Sequence, residues 1–287
     1  MKLVVFGEIL WDVFESDAKI GGAPFNFAAH SAKLGADVTL ISAVGRDPLG
    51  DQAIDHAQSM GIDTNALSRV SYPTGRCQVT LHNGIPTYDL IKNVAYDFIP
   101  MPKNTLCLGD AFYFGTLAQR GGVSAATLRE LLKNNYREVF FDINIRQNYY
   151  SPEMIDFSLK AATIFKISRE EIHVLGIDAT PENICRQTAR KYPNLRLILV
   201  TLDKDGAFAF HCEQEKFYYS PKPQAKAVST VGAGDSFSAC FLCNLLASQK
   251  IEECLIRAVT LSDYVVTQLG AVPEYPQILR EKIEPLG

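Results

Sequence analysis

Short apolar runs alternate with helical segments along most of this 287-residue chain, and the alternation constrains the fold more than any other feature. The runs are too short for helices, and most are followed by a stretch with helix start or stop signals. Strands that alternate with helices form mainly parallel sheets with helices on both faces. We therefore expect one α/β domain over residues 1–287, with strands at residues 3–6, 38–44, 111–114, 139–143, 163–167, 197–201, 207–211 and 216–219.

Proline and glycine indicate where several helices begin and end. Pro24 opens a helical segment that Gly35 closes, and Pro48 opens a second one that Gly61 closes. Proline at the first turn and glycine just past the last turn is the usual asymmetry of a helix. The predicted helices are residues 24–34, 48–60, 124–134, 152–161, 181–192, 234–248 and 251–268.

Residues 76–91 interrupt the alternation of strands and helices. Two strand-like runs, 76–82 and 87–91, flank the dipeptide Asn83-Gly84. Asn-Gly between two such runs is a strong signal for a β-hairpin. A hairpin inserted between strand–helix units is more plausible as an appendage than as part of a parallel sheet, so we expect a small second sheet.

Charge and composition exclude several classes of function. The net charge is -4 and no stretch is dense in Lys or Arg, so a nucleic-acid-binding surface is not expected. No segment reaches the roughly 18 uncharged apolar residues of a membrane span. Glu8 and Asp12 interrupt the first apolar run, which argues against a signal peptide. We expect a cytoplasmic protein that makes no membrane contact.

The seven cysteines and five histidines carry no metal or disulfide pattern. An odd number of cysteines without framework spacing is typical of reduced thiols in a cytosolic protein. Cys240 and Cys243 have C-x-x-C spacing, but they lie in an apolar stretch typical of a buried helix. We interpret them as core residues rather than as a redox or metal pair. A tightly held zinc ion is not expected.

The strongest chemical signal is Gly232-Ala233-Gly234-Asp235. Small residues at a helix start leave backbone amides accessible, and these amides and the helix dipole together attract anions. From spacing alone, Asp235 is either a base beside a bound phosphate or an Asp that complements the dipole. Other phosphate-binding motifs are absent: no G-x-x-x-x-G-K-[ST] loop occurs, and no G-x-G-x-x-G follows the first strand.

Residues 229–237 resemble the C-terminal signature of the ribokinase-like (phosphofructokinase-B type) carbohydrate kinases. Gly7-Glu8-x-x-x-Asp12 is similar to that family's first strand and substrate-binding Asp, and residues 21–28 resemble its N-terminal signature. Residues 115–118 and the pattern Asp142-x-Asn144-x-Arg146 resemble motifs of the fructokinase branch. The two terminal signatures occur in the right order, and the resemblance covers nearly the whole chain.

The resemblance implies ATP-dependent phosphorylation of a small sugar hydroxyl, with D-fructose to fructose 6-phosphate as the favoured reaction. Asp235 would accept the proton of the hydroxyl group as its oxygen attacks the γ-phosphate. The backbone amides of Gly232, Ala233 and Gly234 would form an anion hole for the transferring phosphoryl group.

The resemblance also assigns residues to the sugar. Glycines allow the backbone to approach the sugar closely, and polar side chains pair with its hydroxyls. Arg146 would contact the substrate or the transferred phosphate, with a structural ion pair to Asp142 as the alternative. The residues assigned to sugar binding are Asp12, Gly21, Gly22, Asn26 and Arg146.

Three positions depart from the family pattern on the nucleotide side. Ser229 stands where the family has an Asp linked to a monovalent cation, which argues against potassium dependence. Ser168 replaces the Asn of Asn-x-x-Glu, although Glu171 remains and would act on magnesium indirectly. Asp203 adds a carboxylate that could repel polyphosphate unless Lys166 or Lys204 compensates. We expect ATP and Mg²⁺ as cofactors, with nucleotide contacts from Lys166, Thr201 and Gly206.

The hairpin would belong to the family's β lid, formed here by about residues 11–20 and 70–99, which closes over the sugar. By analogy with the family, an exposed edge of this lid would support a homodimer. The open alternatives are a kinase for another sugar, a sugar acid or a riboside, and a sugar-binding protein that has lost phosphoryl transfer. An unrelated α/β dehydrogenase is a further alternative, and tight NAD binding would identify it.

Overall fold

The computed structural model describes residues 1–13, 15, 17–82, 85–103, 109–177, 179–220 and 227–284, and of residues 79–82 and 85–88 the backbone alone. The strands are β1 (Lys2–Phe6), β2 (Leu10–Val13), β3 (Ala18–Gly21), β4 (Asp37–Val44), β5 (Ile62–Asp63), β6 (Leu67–Arg69), β7 (Gly75–His82), β8 (Ile85–Leu90), β9 (Ala111–Phe114), β10 (Glu138–Asp142), β11 (Ile164–Ser168), β12 (Leu197–Thr201), β13 (Ala207–His211) and β14 (Lys216–Tyr219).

Eight α-helices lie within the described residues, and none of these helices is long and apolar enough to cross a membrane. Short 3-10 turns at Ala95–Phe98, Leu117–Arg120, Ile172–Leu175 and Asp203–Asp205 add to them. The helices are α1 (Ala23–Lys33), α2 (Pro48–Ser59), α3 (Gly122–Leu131), α4 (Pro152–Ala161), α5 (Pro181–Lys191), α6 (Ala233–Leu246), α7 (Ile251–Val265) and α8 (Gln277–Ile283).

A large, mainly parallel sheet forms the centre of the molecule. Its strand order is β14-β13-β12-β11-β10-β9-β1-β4-β5, with β6 paired to β4. All pairs from β12 to β5 are parallel, and the two pairs that β13 forms with β12 and β14 are antiparallel. The predicted α/β fold with a mainly parallel sheet is confirmed.

Helices cover both faces of the large sheet, and strand β1 explains why. Successive side chains of a strand point to opposite faces. Leu3 and Val5 pack into one apolar cluster with α1, α6 and α7, while Val4 and Phe6 pack into a second cluster on the other face. Cys240 and Cys243 lie fully buried in α6, as predicted for core residues.

A separate four-stranded sheet, in the order β3-β2-β7-β8, forms the predicted β appendage. Strand β2 pairs parallel with β7, and the other two pairs are antiparallel. The backbone register of β7 and β8 brings His82 opposite Ile85. The predicted turn at Asn83-Gly84 lies outside the described residues.

The predicted helices are all present, and their ends differ from the prediction by no more than three residues. Elements missing from the prediction are short: β5 and β6 have two and three residues, and α8 has seven. Such elements contain too few residues for an apolar period to be recognised. Strands β2 and β3 overlap residues 11–20 of the predicted lid, but the sequence does not predict them as strands.

A buried ion pair joins two of the 3-10 turns beneath the small sheet. Arg120 donates through Nε to Asp97 Oδ1 at 2.7 Å and through Nη2 to Oδ2 at 3.1 Å, and the Val94 amide also donates to Oδ2. Both charged side chains are less than a tenth exposed. Removing one partner would leave the other charge buried without compensation.

We expect Asp97→Ala to lower the free energy of unfolding by about 3–5 kcal/mol, because the Arg120 guanidinium is then buried without its carboxylate. Urea unfolding followed by circular dichroism measures this change. Asp51→Ala is the matched control, since Asp51 pairs with Arg69 at the surface and should cost less than about 1 kcal/mol. Equal losses in the two variants would contradict the prediction.

Candidate active site

Two cavities lie on either side of the start of α6. The small-sheet cavity, about 460 Å³, is lined by residues of β2, β7 and α1 and by the loops after β1 and β10. The α7 cavity, about 440 Å³, is lined by residues of α7 and the loop after β12. Thr230 and Gly234 line both cavities. A group bound at Gly234 would therefore be within reach of ligands on both sides.

The backbone turn before α6 requires glycine at position 232. Gly232 has a φ of 82° and precedes α6, and a Cβ there would lie 2.3 Å from the Ala271 carbonyl oxygen. The same carbonyl lies 2.9 Å from Nε2 of His30 on α1. The Ala233 amide donates to the Thr230 carbonyl at 3.3 Å. The first amides of a helix have no partners within the helix, and such a turn favours anion binding.

Asp235 lies in the first turn of α6, and its carboxylate is fixed by α1. Asn26 Nδ2 donates a hydrogen bond of 2.8 Å to Asp235 Oδ2. Burial raises the pKa of Asp235 to about 6, with Asp142 adding to the shift, while Asn26, Arg146 and Lys166 oppose it. The carboxylate is therefore ionised at neutral pH but basic enough to accept a proton.

A buried cation lies beside the turn. Lys166 Nζ donates to Asp142 Oδ1 at 3.0 Å, and it lies 3.2 Å from the position that a Cβ on Gly234 would occupy. Asp142 also accepts hydrogen bonds from Ser238 and Tyr113. Burial lowers the pKa of Lys166, but Asp142 and Glu171 outweigh it and the net shift is upward. An ammonium ion is thus held against the amides that precede Asp235.

The glycines of the predicted sugar site, at the end of β3 and the start of α1, lie close to Glu8 and Asp12. Gly22 has a φ of 108°, and a Cβ there would lie 2.6 Å from the Glu8 carbonyl oxygen. A Cβ on Gly21 would lie 3.1 Å from Asp12 Oδ2. Asp12, Gly22 and Asn26 line the small-sheet cavity. The structure therefore brings together the N-terminal residues that the sequence assigned to the sugar.

Arg146 also lines the small-sheet cavity, on the loop after β10. It donates to the Ile145 carbonyl, while the predicted alternative partner Asp142 is paired with Lys166. Asn144 and Gln147 flank this loop with φ values of 38° and 49°. Non-glycine residues in the left-handed region are strained, and such strain clusters at ligand sites.

Glu171 stabilises the loop after β10 through backbone hydrogen bonds. Its carboxylate accepts the Ile145 amide at 2.7 Å and the Ser168 amide at 2.9 Å. Burial would raise the pKa of Glu171, but Lys166 and these backbone donors lower it overall. Both of its oxygens are thus bound by amides, which fits the predicted indirect role toward a metal ion better than direct coordination.

The predicted nucleotide residues lie in two places. Thr201 and Gly206 line the α7 cavity together with Asp203 and Lys204, whereas Lys166 lines the small-sheet cavity. Ser229 precedes this region, and its amide donates to the Val266 carbonyl while its Oγ accepts the Val231 amide. No group of three His, Cys, Asp or Glu suited to a metal ion occurs in the part of the chain that the structure describes.

Two residues of the small-sheet cavity, Glu8 and Asn144, have no role predicted from the sequence. Glu8 lies two residues after the end of β1 and is 2% exposed, and Asn144 lies two residues after the end of β10. Both positions lie beyond the carboxyl ends of parallel strands, where ligands bind in open α/β sheets. That rule was the available signal, but it does not distinguish which side chain after a strand faces the cavity.

Comparisons with known proteins identify a family and a fold. A family model for pfkB family carbohydrate kinases matches residues 3–278. A fructokinase from Salmonella typhimurium is 28% identical over 96% of this chain and 96% of its own, and a 5-dehydro-2-deoxygluconokinase from Clostridium beijerinckii is 25% identical over 82% and 75%. The crystal structure of a Vibrio cholerae fructokinase bound to fructose, ADP and calcium has a TM-score of 0.83 at 21% identity and covers 99% of both chains.

The family match extends over nearly all of the large sheet, the small sheet and the turn before α6. It includes the elements that carry the half-buried carboxylate of Asp235, the neighbouring ammonium ion and the two cavities. This chain therefore belongs to the pfkB family of carbohydrate kinases.

Proposed function

We propose that this chain transfers the γ-phosphoryl group of ATP to D-fructose and forms fructose 6-phosphate, with Asp235 as the general base. The observation that carries the proposal is the position of Asp235 in the first turn of α6, where the two cavities meet. A carboxylate that Asn26 orients, and that is ionised at neutral pH, suits a base for a hydroxyl group.

In this mechanism the sugar occupies the small-sheet cavity and the nucleotide occupies the α7 cavity. Asp235 accepts the proton of the attacking hydroxyl, while the amides of Gly232, Ala233 and Gly234 bind the transferring phosphoryl group. Lys166 neutralises charge on the same group, since its ammonium lies beside Gly234. Electrostatic stabilisation of this kind is usually the largest contribution to phosphoryl transfer.

Magnesium would enter with the phosphates of ATP. Mg²⁺ prefers substrate phosphates, waters and one or two carboxylates to an all-protein cage, and the described residues contain no such cage. Glu171 would support the ion indirectly, through the backbone of Ile145 and Ser168 that it holds. Bound Mg²⁺ would neutralise charge on the polyphosphate chain.

Support for fructose as the substrate comes from the relatives. The fructokinase relative matches nearly the full length, and residues 21–28 resemble the fructokinase branch. The relative that acts on 5-dehydro-2-deoxygluconate matches at similar identity, so a sugar acid is the main alternative within the same reaction class. A lid role for the small sheet and a homodimer through its open edges, β3 and β8, stay proposals.

We expect Asp235→Asn to lower kcat with fructose by about 10²–10⁴-fold, because the variant keeps the shape of the side chain but cannot accept the proton. Coupled measurement of ADP release with Mg-ATP tests this. Asp203→Asn is the matched control, since it removes a carboxylate from the α7 cavity and should not lower turnover. ADP release in Asp235→Asn close to that of wild type would contradict the assignment. Sugar binding by the wild type without any turnover would instead favour the sugar-binding alternative.

We expect kcat/KM for fructose to fall below about pH 6, by about ten-fold per pH unit, because the base acts in its ionised form and burial raises the pKa of Asp235 to about 6. Asn26 stabilises the ionised form, so Asn26→Ala should move the inflection to higher pH. Rates at saturating Mg-ATP between pH 5 and pH 8 measure both. If the inflection instead came from protonation of Mg-ATP, it would occur at the same pH in Asn26→Ala as in the wild type, and the assignment to Asp235 would be contradicted.

We expect potassium to change the turnover rate by less than about two-fold, because the hydroxyl at Ser229 supplies no negative charge and accepts a backbone amide. Rates in tetramethylammonium buffer with and without potassium chloride measure the effect, and tetramethylammonium chloride at equal ionic strength is the control. A large activation by potassium alone would show that other groups replace the missing carboxylate.

A further inference from the structure

We propose that Glu8 is a specificity-determining residue that binds a hydroxyl group of an uncharged sugar. Together, Glu8, Asp12 and Asn26 form a wall of the small-sheet cavity that rejects substrates carrying a carboxylate or phosphate at the end that faces these residues. We call these three residues the acceptor wall. The inference rests on the proposed function, because it assumes that the small-sheet cavity receives the sugar.

The position of Glu8 is fixed by its backbone. Gly7 has a φ of 147°, and a Cβ there would lie 2.4 Å from Cγ of Pro24. On the other side, the Glu8 carbonyl lies against Gly22 with no room for a Cβ. Glu8 is therefore held between the end of β1 and the start of α1, and its nearly fully buried side chain lines the small-sheet cavity. A side chain held in this way is arranged before a ligand arrives.

The acceptor wall contains oxygen atoms that lack partners. Among the described residues, Oε2 of Glu8 and Oδ1 of Asn26 accept no hydrogen bond, although both side chains are at least nine-tenths buried. The Nδ2 group of Asn26 is already used by Asp235, so only its acceptor end remains. Buried polar atoms are nearly always hydrogen-bonded. A ligand with hydrogen-bond donors placed opposite these two oxygens would supply the partners that they lack.

The partners that these acceptors need are hydroxyl groups. A hydroxyl supplies an O–H donor, whereas an ionised carboxylate or phosphate offers only acceptors. Burial raises the pKa of Glu8 to about 7, so both of its protonation states are populated near neutral pH. A hydroxyl suits either state, because it donates to the carboxylate and accepts from the carboxylic acid. An anionic group would face the acceptors of Asp12 and Asn26 in both states.

The charges of the cavity also disfavour an anion at the acceptor wall. Lys166 is paired with Asp142 and lies beside Gly234, where the phosphoryl group would be transferred. Among the described residues that line the cavity, Arg146 is the remaining cation, and it acts on Glu8, Asp12 and Asp235. Arg120 also acts on Glu8, but it is already paired with Asp97. One guanidinium shared among three carboxyl groups leaves little positive charge for a carboxylate or phosphate of the substrate.

Binding measurements without ATP test this inference separately from catalysis. Isothermal titration of the wild type would use D-fructose and other neutral sugars, then the sugar acid 5-dehydro-2-deoxy-D-gluconate. We expect at least one neutral sugar to bind about ten-fold or more tightly than the sugar acid. Glu8→Gln removes the charge and keeps an acceptor, so it should improve anion binding relative to the neutral sugar. Glu8→Leu removes both, so it should weaken the neutral sugar about ten-fold or more.

Glu138→Gln is the matched control. Glu138 is also buried, but it lies on β10 in an ion pair with Arg196 and does not line the cavity. It should change the melting temperature without changing the ratio of neutral to anionic binding. Thermal melting of all three variants identifies any general loss of folding, and binding is compared only among folded proteins.

The outcomes separate this inference from the proposed function. Anions that bind the wild type as tightly as neutral sugars would overturn the inference, even if the protein phosphorylates them. If both Glu8 variants kept the wild-type ratio of neutral to anionic binding, the role of Glu8 would be overturned. Failure of every neutral sugar to bind the wild type would overturn it as well. Neutral preference that responds to both variants, with no ADP release from ATP, would support the inference and contradict the proposed kinase activity on fructose.

Discussion

The hydrogen bond between Asn26 and Asp235 is the contact on which the rest of the site depends. It joins the first turns of α1 and α6, which lie 209 residues apart in the chain and pack side by side on one face of the large sheet. It orients the carboxylate and stabilises its ionised form. Because the two residues come from distant parts of the chain, this contact holds the first turns of α1 and α6 together at the site.

Charge is arranged around this contact in a graded way. The fully buried pair of Lys166 and Asp142 lies deepest, and Glu171 adds a second carboxylate that holds the backbone loop bearing Arg146. Toward the small sheet, the carboxyl groups of Glu8 and Asp12 outnumber the cations. Positive charge is thus concentrated where a phosphoryl group would pass, and acceptors are concentrated where hydroxyl groups would bind.

The sequence predicted the architecture well because its signals are local. Buried runs such as residues 3–6 and helix boundaries such as Pro48 and Gly61 need no knowledge of distant contacts. Gly232 to Asp235 were found for the same reason, since four adjacent residues carry the signal. The pairing of Lys166 with Asp142, rather than of Arg146 with Asp142, depends on the register of β10 and β11 and could not be derived from spacing. Glu8 was missed because an acidic residue after a strand has no distinctive pattern.

The close approach of Ala271 to Gly232 links the turn before α6 to a segment far along the chain. Since His30 lies against the same carbonyl, that segment is anchored to α1 as well. A side chain could replace Gly232 only if the backbone at 271 moved, and such a movement would disturb His30. These three positions are therefore expected to change together, or not at all, as the protein diverges, even though only one of them lies in the turn itself.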